Sequence, residues 1–174
     1  AHNSLHFEGN IPSLESLRAE VIRSSCTPEF FDWINKSPLE WTLEMGLASV
    51  NHEAINDQIN QLRNLSKKHK VAIKQKPWEG PLIDIQTTQL SVVPNNWLIR
   101  IVLPPNQIHS TINSDEFNSL SDWNWRITAG SGIGDGWPNN SLLSNEKKMQ
   151  VKIKQLRVKV NKLGGQLTVL NQPK

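Results

Sequence analysis

Two arginines, Arg100 and Arg126, lie in the middle of predicted β-strands, each with apolar residues on both sides. A guanidinium group held at such a position can bind a carboxylate through two parallel hydrogen bonds. It can equally form an ion pair inside the protein, and Glu8 and Glu44 are the partners that the strand pattern offers. We therefore predict Arg100 and Arg126 as the binding residues for an anionic ligand, with an internal ion pair as the open alternative.

The other residue arrangements that could do chemistry are incomplete. Gly130–Gly136 is rich in glycine, but no Gly-Lys-Ser/Thr follows it and the next helix begins too late to offer its N-terminus. We therefore expect a tight turn between strands rather than a phosphate-binding loop. No nucleophile–base pair or carboxylate pair stands at defined positions, so we predict no catalytic residue in this chain. The histidines lack the spacing of a metal site, and no metal is expected; they are His2, His6, His52, His69 and His109.

The predicted last helix is strongly basic, which raises nucleic acid as a partner. Its basic residues are Lys147, Lys148, Lys152, Lys154, Arg157, Lys159 and Lys162. Sheets that bind RNA carry stacking aromatic residues on their open face. Here Trp123 and Trp125 share the apolar face instead, and the net charge of +3 is mild. We expect no nucleic-acid partner.

The elements that position these residues follow a pattern that occurs twice. Each half reads as β-α-β-β-α-β, and Gln61-Leu62-Arg63 and Gln155-Leu156-Arg157 mark the last helix of the two halves. Such a duplication predicts the architecture before any motif is found. The predicted fold is α+β, with two ferredoxin-like halves at residues 1–76 and 97–174 and a connection at residues 77–96. The halves form an antiparallel sheet layer with helices on one face.

Alternation along the strands sorts their residues onto two faces. The apolar set should meet the helices; it comprises Phe7, Trp41, Leu43, Met45, Ile73, Trp97, Ile99, Ile101, Trp123, Trp125, Ile127, Leu167 and Val169. The opposite set should form an uncovered polar surface; it comprises His6, Glu8, Thr42, Glu44, Lys74, Arg100, Asn124, Arg126, Thr128 and Thr168. We predict this surface as the working face, although a two-layer sheet also presents a polar face to water without any ligand.

Composition describes a soluble globular chain. It has 174 residues, of which 37% are hydrophobic, and no apolar run approaches the roughly 18 residues that a membrane span needs. Nothing at the N-terminus has the pattern of a signal peptide. The single cysteine, Cys26, excludes an internal disulfide and fits a reducing compartment. We expect a cytoplasmic protein without a membrane span.

Two stretches resemble the last part of FAD-linked oxidases. One is the strand from Trp97 to Leu103 with Pro104-Pro105, and the other is the ending from Gln155 to Pro173 with its Leu163-Gly164-Gly165. The pattern is most similar to the FAD-binding subunit of glycolate oxidase, a relative of the vanillyl-alcohol-oxidase-type flavoproteins. Metal-dependent relatives carry Gly-His-Ile-Gly-Asp-Gly-Asn-Leu-His in this region. The aligned stretch here is Ser131–Asn139, in which Gly132 and Asn139 replace both histidines.

The resemblance implies a cap domain that folds over a flavin and shapes the substrate pocket. In that family a separate preceding domain binds the FAD, so we expect FAD in the full-length protein and none in this chain. The partner would be the flavin-binding domain of the same polypeptide, with other oxidase subunits as a further possibility. Arg100 and Arg126 would then face an anionic 2-hydroxy acid or the flavin, and the isolated chain would turn over no glycolate. The alternative is a non-catalytic ligand-binding or protein-interaction module built on a duplicated ferredoxin-like fold.

Overall fold

A computed structural model describes residues 2–37, 40–77, 96–139 and 146–173. The chain forms two compact units, of which the first comprises Ala1–Ile34 and Trp41–Ile83 and the second comprises Asn35–Glu40 and Asp84–Lys174. Nearly all of the predicted connection, residues 78–95, lies outside the described residues. The boundaries predicted at 76 and 97 therefore stay a prediction.

The first unit follows the order β-α-β-β-α-β. Its strands and helices are β1 (His2–Glu8), α1 (Ile11–Arg23), β2 (Phe30–Ser37), β3 (Glu40–Ala48), α2 (His52–Lys68) and β4 (Ala72–Lys76). The strand order is β4-β1-β3-β2, and β1 pairs antiparallel with both β3 and β4. From Asn35 onward, β2 belongs to the second unit.

The second unit repeats this order with a divided first helix. Its elements are β5 (Leu98–Val102), a 3-10 turn (Pro105–Gln107), α3 (Ile108–Ile112), α4 (Asp115–Asn118), β6 (Trp123–Thr128), β7 (Ile133–Pro138), α5 (Glu146–Lys162) and β8 (Gln166–Asn171). The strand order is β6-β7-β5-β8, with antiparallel pairing throughout. The predicted α+β class is confirmed, and in both units the fourth strand lies beside the first.

The helix ends follow from local side-chain chemistry. Asn51 caps α2, because its side chain accepts a hydrogen bond from the Glu53 amide at 2.9 Å. Asn10 caps α1 in the same way and accepts from the Ser13 amide at 2.8 Å. Helix α5 ends at Lys162, and Gly164 shortly after it has a φ of +80°, the left-handed conformation that often follows a helix end.

The core lies between the helices and the predicted apolar face of the strands. Phe7, Leu43, Ile99 and Trp123 are fully buried, and the rest of that set is buried too apart from the edge-strand residues Ile73 and Val169. Each helix adds an apolar stripe to this layer, given by Leu14, Leu17 and Val21 in α1, Ile55, Ile59 and Leu62 in α2, and Met149, Ile153, Leu156 and Val160 in α5. In the described part of the chain, no helix has the length and apolar character needed to cross a membrane.

Candidate functional site

The two arginines predicted from the sequence flank one carboxylate in the second unit. Arg100 on β5 lies opposite Asp135 on β7, and Arg126 on β6 lies opposite the same Asp135 from the other side. Residues directly opposite in adjacent strands point to the same face of the sheet. The structure therefore brings Arg100 and Arg126 together around Asp135.

Arg100 binds Asp135 through two parallel hydrogen bonds. Its Nε donates to Oδ1 at 2.8 Å and its Nη2 donates to Oδ2 at 2.9 Å. The Asp135 side chain is 12% exposed and that of Arg100 is 38% exposed, so the carboxylate lies deeper than the guanidinium. An internal ion pair was the open alternative for Arg100 and is correct, but the expected partners, Glu8 and Glu44, are not the ones used. Both of those carboxylates pair within the first unit.

Asp135 lies between two cationic side chains. Arg100 is its cross-strand neighbour on β5 and Arg126 is its cross-strand neighbour on β6. The half-buried Arg126 is a cross-strand neighbour of the carboxylate on the side away from Arg100. Such an array can attract an anion while the ion pair fixes the direction of the Arg100 guanidinium.

The path of β7 explains how Asp135 reaches this position. Residues 133–136 were expected to form part of a turn, but they form a strand because two glycines let its inner side lie against bulky neighbours. A Cβ atom on Gly136 would lie 2.5 Å from the Trp125 ring, and one on Gly134 would lie 2.6 Å from the Ile127 side chain. The expected turn is correspondingly shorter and ends before Ile133.

Gly132 leaves no room for a side chain at the position where the metal-dependent sequences of the resemblance have their first histidine. Its φ is +72°, and a Cβ atom there would lie 1.9 Å from the Leu103 carbonyl oxygen. The Leu103 amide also donates to the Gly132 carbonyl at 2.9 Å, which holds the two backbones together. A histidine therefore does not fit position 132 on this backbone.

An apolar patch lies on the same outer face as the charged array. Val102 and Ile133 are cross-strand neighbours, with exposed fractions of 41% and 44%. Each stands two residues from a member of the ion pair, Arg100 or Asp135, so alternation places them on the same face. Exposed apolar residues beside a guanidinium can contact the carbon atoms of an organic anion while the guanidinium binds its charged group.

The first unit carries a second polar cluster, built around a buried histidine. His6 on β1 is 1% exposed, and its Nδ1 lies 2.9 Å from Oε1 of Glu44 on β3. Its Nε2 lies 3.4 Å from Oε1 of Glu8, and the other carboxylate oxygen of Glu8, Oε2, accepts a hydrogen bond from Lys74 at 2.6 Å. The hydrogen bond with His6 is the main reason why the pKa of Glu44 lies below its ordinary value of 4.5, despite an opposing effect of burial.

Two residues of the predicted polar surface are not exposed. His6 is enclosed, with a carboxylate near each ring nitrogen, and Thr42 is 4% exposed, with its hydroxyl donating to the Ile34 carbonyl oxygen at 3.3 Å. Both keep the expected side of their strands, because His6 lies opposite Glu44 and Glu8 opposite Thr42. Their burial depends on these neighbours, which strand alternation alone does not reveal.

Asp135 is the residue of this array that sequence reasoning missed. Its flanking glycines, Gly134 and Gly136, suggested a turn and concealed the alternation of a strand. The informative signal was the spacing of two glycines with one residue between them, opposite the large residues Trp125 and Ile127. A strand in which glycine accommodates an aromatic neighbour has that pattern.

The comparisons with known proteins show a likeness in fold. No protein-family model matches the chain, and no curated protein matches it either. Among solved structures, a VAO-type flavoprotein from Myceliophthora thermophila C1 is similar, with a TM-score of 0.50 and 11% sequence identity. The match covers 95% of this chain but 39% of that flavoprotein's chain. The chain therefore has the fold of one part of a VAO-type flavoprotein.

Proposed function

We propose that this chain is the substrate or cap domain of an FAD-dependent 2-hydroxy-acid oxidase or dehydrogenase of the glycolate type. The observation that carries the proposal is the array of Arg100, Asp135 and Arg126 on the outer face of the second unit. The likeness in fold to part of a VAO-type flavoprotein supports it. In this role the chain covers the flavin and shapes the substrate pocket.

The residues of the outer face fit the covering role better than the role of holding the cofactor. The described residues include no glycine-rich loop directly before a helix that could bind the diphosphate of FAD. The face does provide two arginines on either side of Asp135 and the exposed apolar residues Val102 and Ile133, which suit an anionic substrate beside an apolar ring. We therefore assign the binding of FAD to another domain of the same polypeptide and expect none on this chain alone.

In the proposed mechanism the chain binds the substrate, orients it and excludes water from it. Arg126 and the outward side of Arg100 attract the substrate carboxylate, while Asp135 keeps the Arg100 guanidinium in one orientation. Val102 and Ile133 exclude water from the reacting carbon. The flavin supplies the acceptor for the hydride from the α-carbon, which is the chemistry of the cofactor itself.

The test uses the longest reading frame that contains this chain. We expect that product to purify with stoichiometric flavin and to oxidise glycolate or a close 2-hydroxy acid, and residues 1–174 alone to do neither. Arg100→Ala and Arg126→Ala should each raise KM by roughly 10- to 100-fold, because each removes a charge-assisted hydrogen bond to the substrate. Arg23→Ala, at the exposed end of α1, is the matched control.

Two results would contradict the proposal. One is a reading frame that begins at this chain and encodes no flavin domain, which would favour the non-catalytic module. The other is an active flavoprotein whose KM is the same in the Arg100, Arg126 and Arg23 variants. The proposal also includes a cytoplasmic location, which the buried free thiol of Cys26 suits, and contact with other oxidase subunits.

A further inference from the structure

A groove on the second unit lies away from the residues assigned to the substrate. It has a volume of about 490 Å³ and runs between α4 and α5. Helix α4 and the residue after it contribute Asp115, Glu116 and Ser119, and α5 contributes Val151, Lys154, Gln155 and Val158. One wall is the single turn of α4 and the other is the longer helix α5.

The α5 wall has a stripe of valines and lysines. Val151 is 55% exposed and Val158 is 49% exposed, and they stand seven residues apart, or about 10.5 Å along the helix axis. Lys147, Lys154 and Lys162 follow the same stripe at helical spacing and are exposed. A single exposed valine is common on a protein surface. Two on one stripe, both lining one groove, match the two-turn repeat of a partner helix.

The charges of the two walls restrict the partner. Helix α5 carries seven basic residues and one acidic residue, Glu146, whereas Asp115 and Glu116 make the opposite wall acidic. The acidic wall would repel the phosphates of a nucleic acid. Two valines are also too little apolar surface for insertion into a membrane. The pattern fits a helix with apolar residues at seven-residue spacing, carboxylates on one flank and a basic residue on the other.

We propose that the groove between α4 and α5 is a docking site for an amphipathic helix of a partner protein. The partner helix lays its apolar residues on Val151 and Val158. Its acidic flank faces Lys147, Lys154 and Lys162, and its basic flank faces Asp115 and Glu116. This interface is independent of the proposed oxidase function, since it uses none of the residues assigned to the substrate.

The test uses the whole 174-residue chain, labelled with ¹⁵N, and a synthetic helical peptide of three heptads. The peptide has leucine along its seam, glutamate on one flank and lysine on the other. We expect amide shifts confined to α4 and α5, and affinity at least tenfold lower for Val151→Asp/Val158→Asp. Val50→Asp, the same type of substitution at a fully exposed valine of the first unit, should leave binding unchanged.

A second variant distinguishes loss of peptide binding from loss of the folded state. Lys147→Glu/Lys154→Glu changes only exposed side chains and should also lower affinity for the peptide at least tenfold. The proposal is overturned if the peptide shifts no amide of α4 or α5, or if neither double variant weakens binding. It is also overturned if phosphatidylserine vesicles or a single-stranded RNA shift the same amides more strongly than the peptide does.

Discussion

Glu44 is a surface carboxylate whose chemistry depends on one buried imidazole. The hydrogen bond with His6 lowers the pKa of Glu44, and the nearby Lys76 ammonium acts in the same direction more weakly. Lowering of a carboxyl pKa on folding means that the ionised form is the one the folded state stabilises. The contribution to stability is therefore fully present above pH 4.5 and is lost as pH falls through the lowered pKa.

We predict that Glu44→Gln removes this pH dependence. At pH 6 the variant should be less stable than the parent chain, and the difference should shrink as pH falls below 4.5 toward 3. Urea unfolding monitored by tryptophan fluorescence at several pH values measures it, with the exposed Glu40→Gln as the matched control. A difference between Glu44→Gln and the parent that stays constant from pH 6 to pH 3 would refute the linkage.

The sequence indicated the positions of the two arginines but not those of Asp135 or the buried His6. Arg100 and Arg126 stand out because a guanidinium between apolar neighbours is unusual in a strand, and the structure places both on one face. Their shared cross-strand neighbour, Asp135, was not predictable by the same logic because Gly134 and Gly136 give no side-chain alternation. The burial of His6 was hidden too, since it depends on Glu8 and on a strand 38 residues away.

Strand β7 depends on two glycines, because a larger residue at either position would clash with a neighbouring strand. Its inner side carries Gly134 and Gly136, and the ring of Trp125 occupies the space that a Cβ atom on Gly136 would need. Trp125 in turn contacts Phe117 and stacks on Trp123, with ring centroids 4.3 Å and 5.8 Å away. The aromatic cluster and the two glycines therefore form one packing unit.

We predict that Gly136→Ala destabilises the protein by about 1–3 kcal/mol, as overpacking of a filled core does. The added methyl group would lie 2.5 Å from the Trp125 ring, which cannot move without disturbing Phe117 and Trp123. Gly9→Ala is the matched control, because its Cβ would meet Val71 at an ordinary 3.4 Å. Equal unfolding free energies for the two variants, measured in urea, would contradict this account.

Helices and most strands were predictable because amphipathic spacing and caps are local signals. Strand β3 alternates apolar and polar residues from Glu40 to Ala48, and α2 begins directly after its cap, Asn51. The division of the first helix of the second unit was not expected. Asn113 and Ser114 interrupt it, and the Ser114 side chain then caps a new short helix by accepting from the Phe117 amide.

At the scale of the whole molecule, the second unit includes a segment from the early part of the chain. Residues Asn35–Glu40 belong to it although this segment includes the end of β2 and the first residue of β3, strands that begin or continue in the first unit. In the side-chain amide of Asn35, Nδ2 donates to the Trp123 backbone carbonyl at 2.6 Å and Oδ1 accepts from the Trp125 backbone N–H at 2.6 Å. One side chain thus serves two backbone groups of strand β6.

We predict that Asn35→Ala lowers the stability of the protein by about 1–3 kcal/mol, because it leaves a backbone donor and a backbone acceptor without this partner. Hydrogen exchange should quicken at the Trp125 amide in particular. Asn60→Ala, at an exposed position of α2, is the matched control. Unchanged exchange at Trp125 in the Asn35 variant would show that another group protects that amide.

The double hydrogen bond of Asn35 has a consequence for synthesis on the ribosome. Its acceptor Trp123 follows 88 residues later, which at 5–20 residues per second is a delay of roughly 4 to 18 s. During that time the first unit can fold while the amide of Asn35 is still solvated. The two hydrogen bonds of Asn35 therefore cannot form before β6 has been synthesised, so this end of β2 completes its contacts later than the rest of the strand.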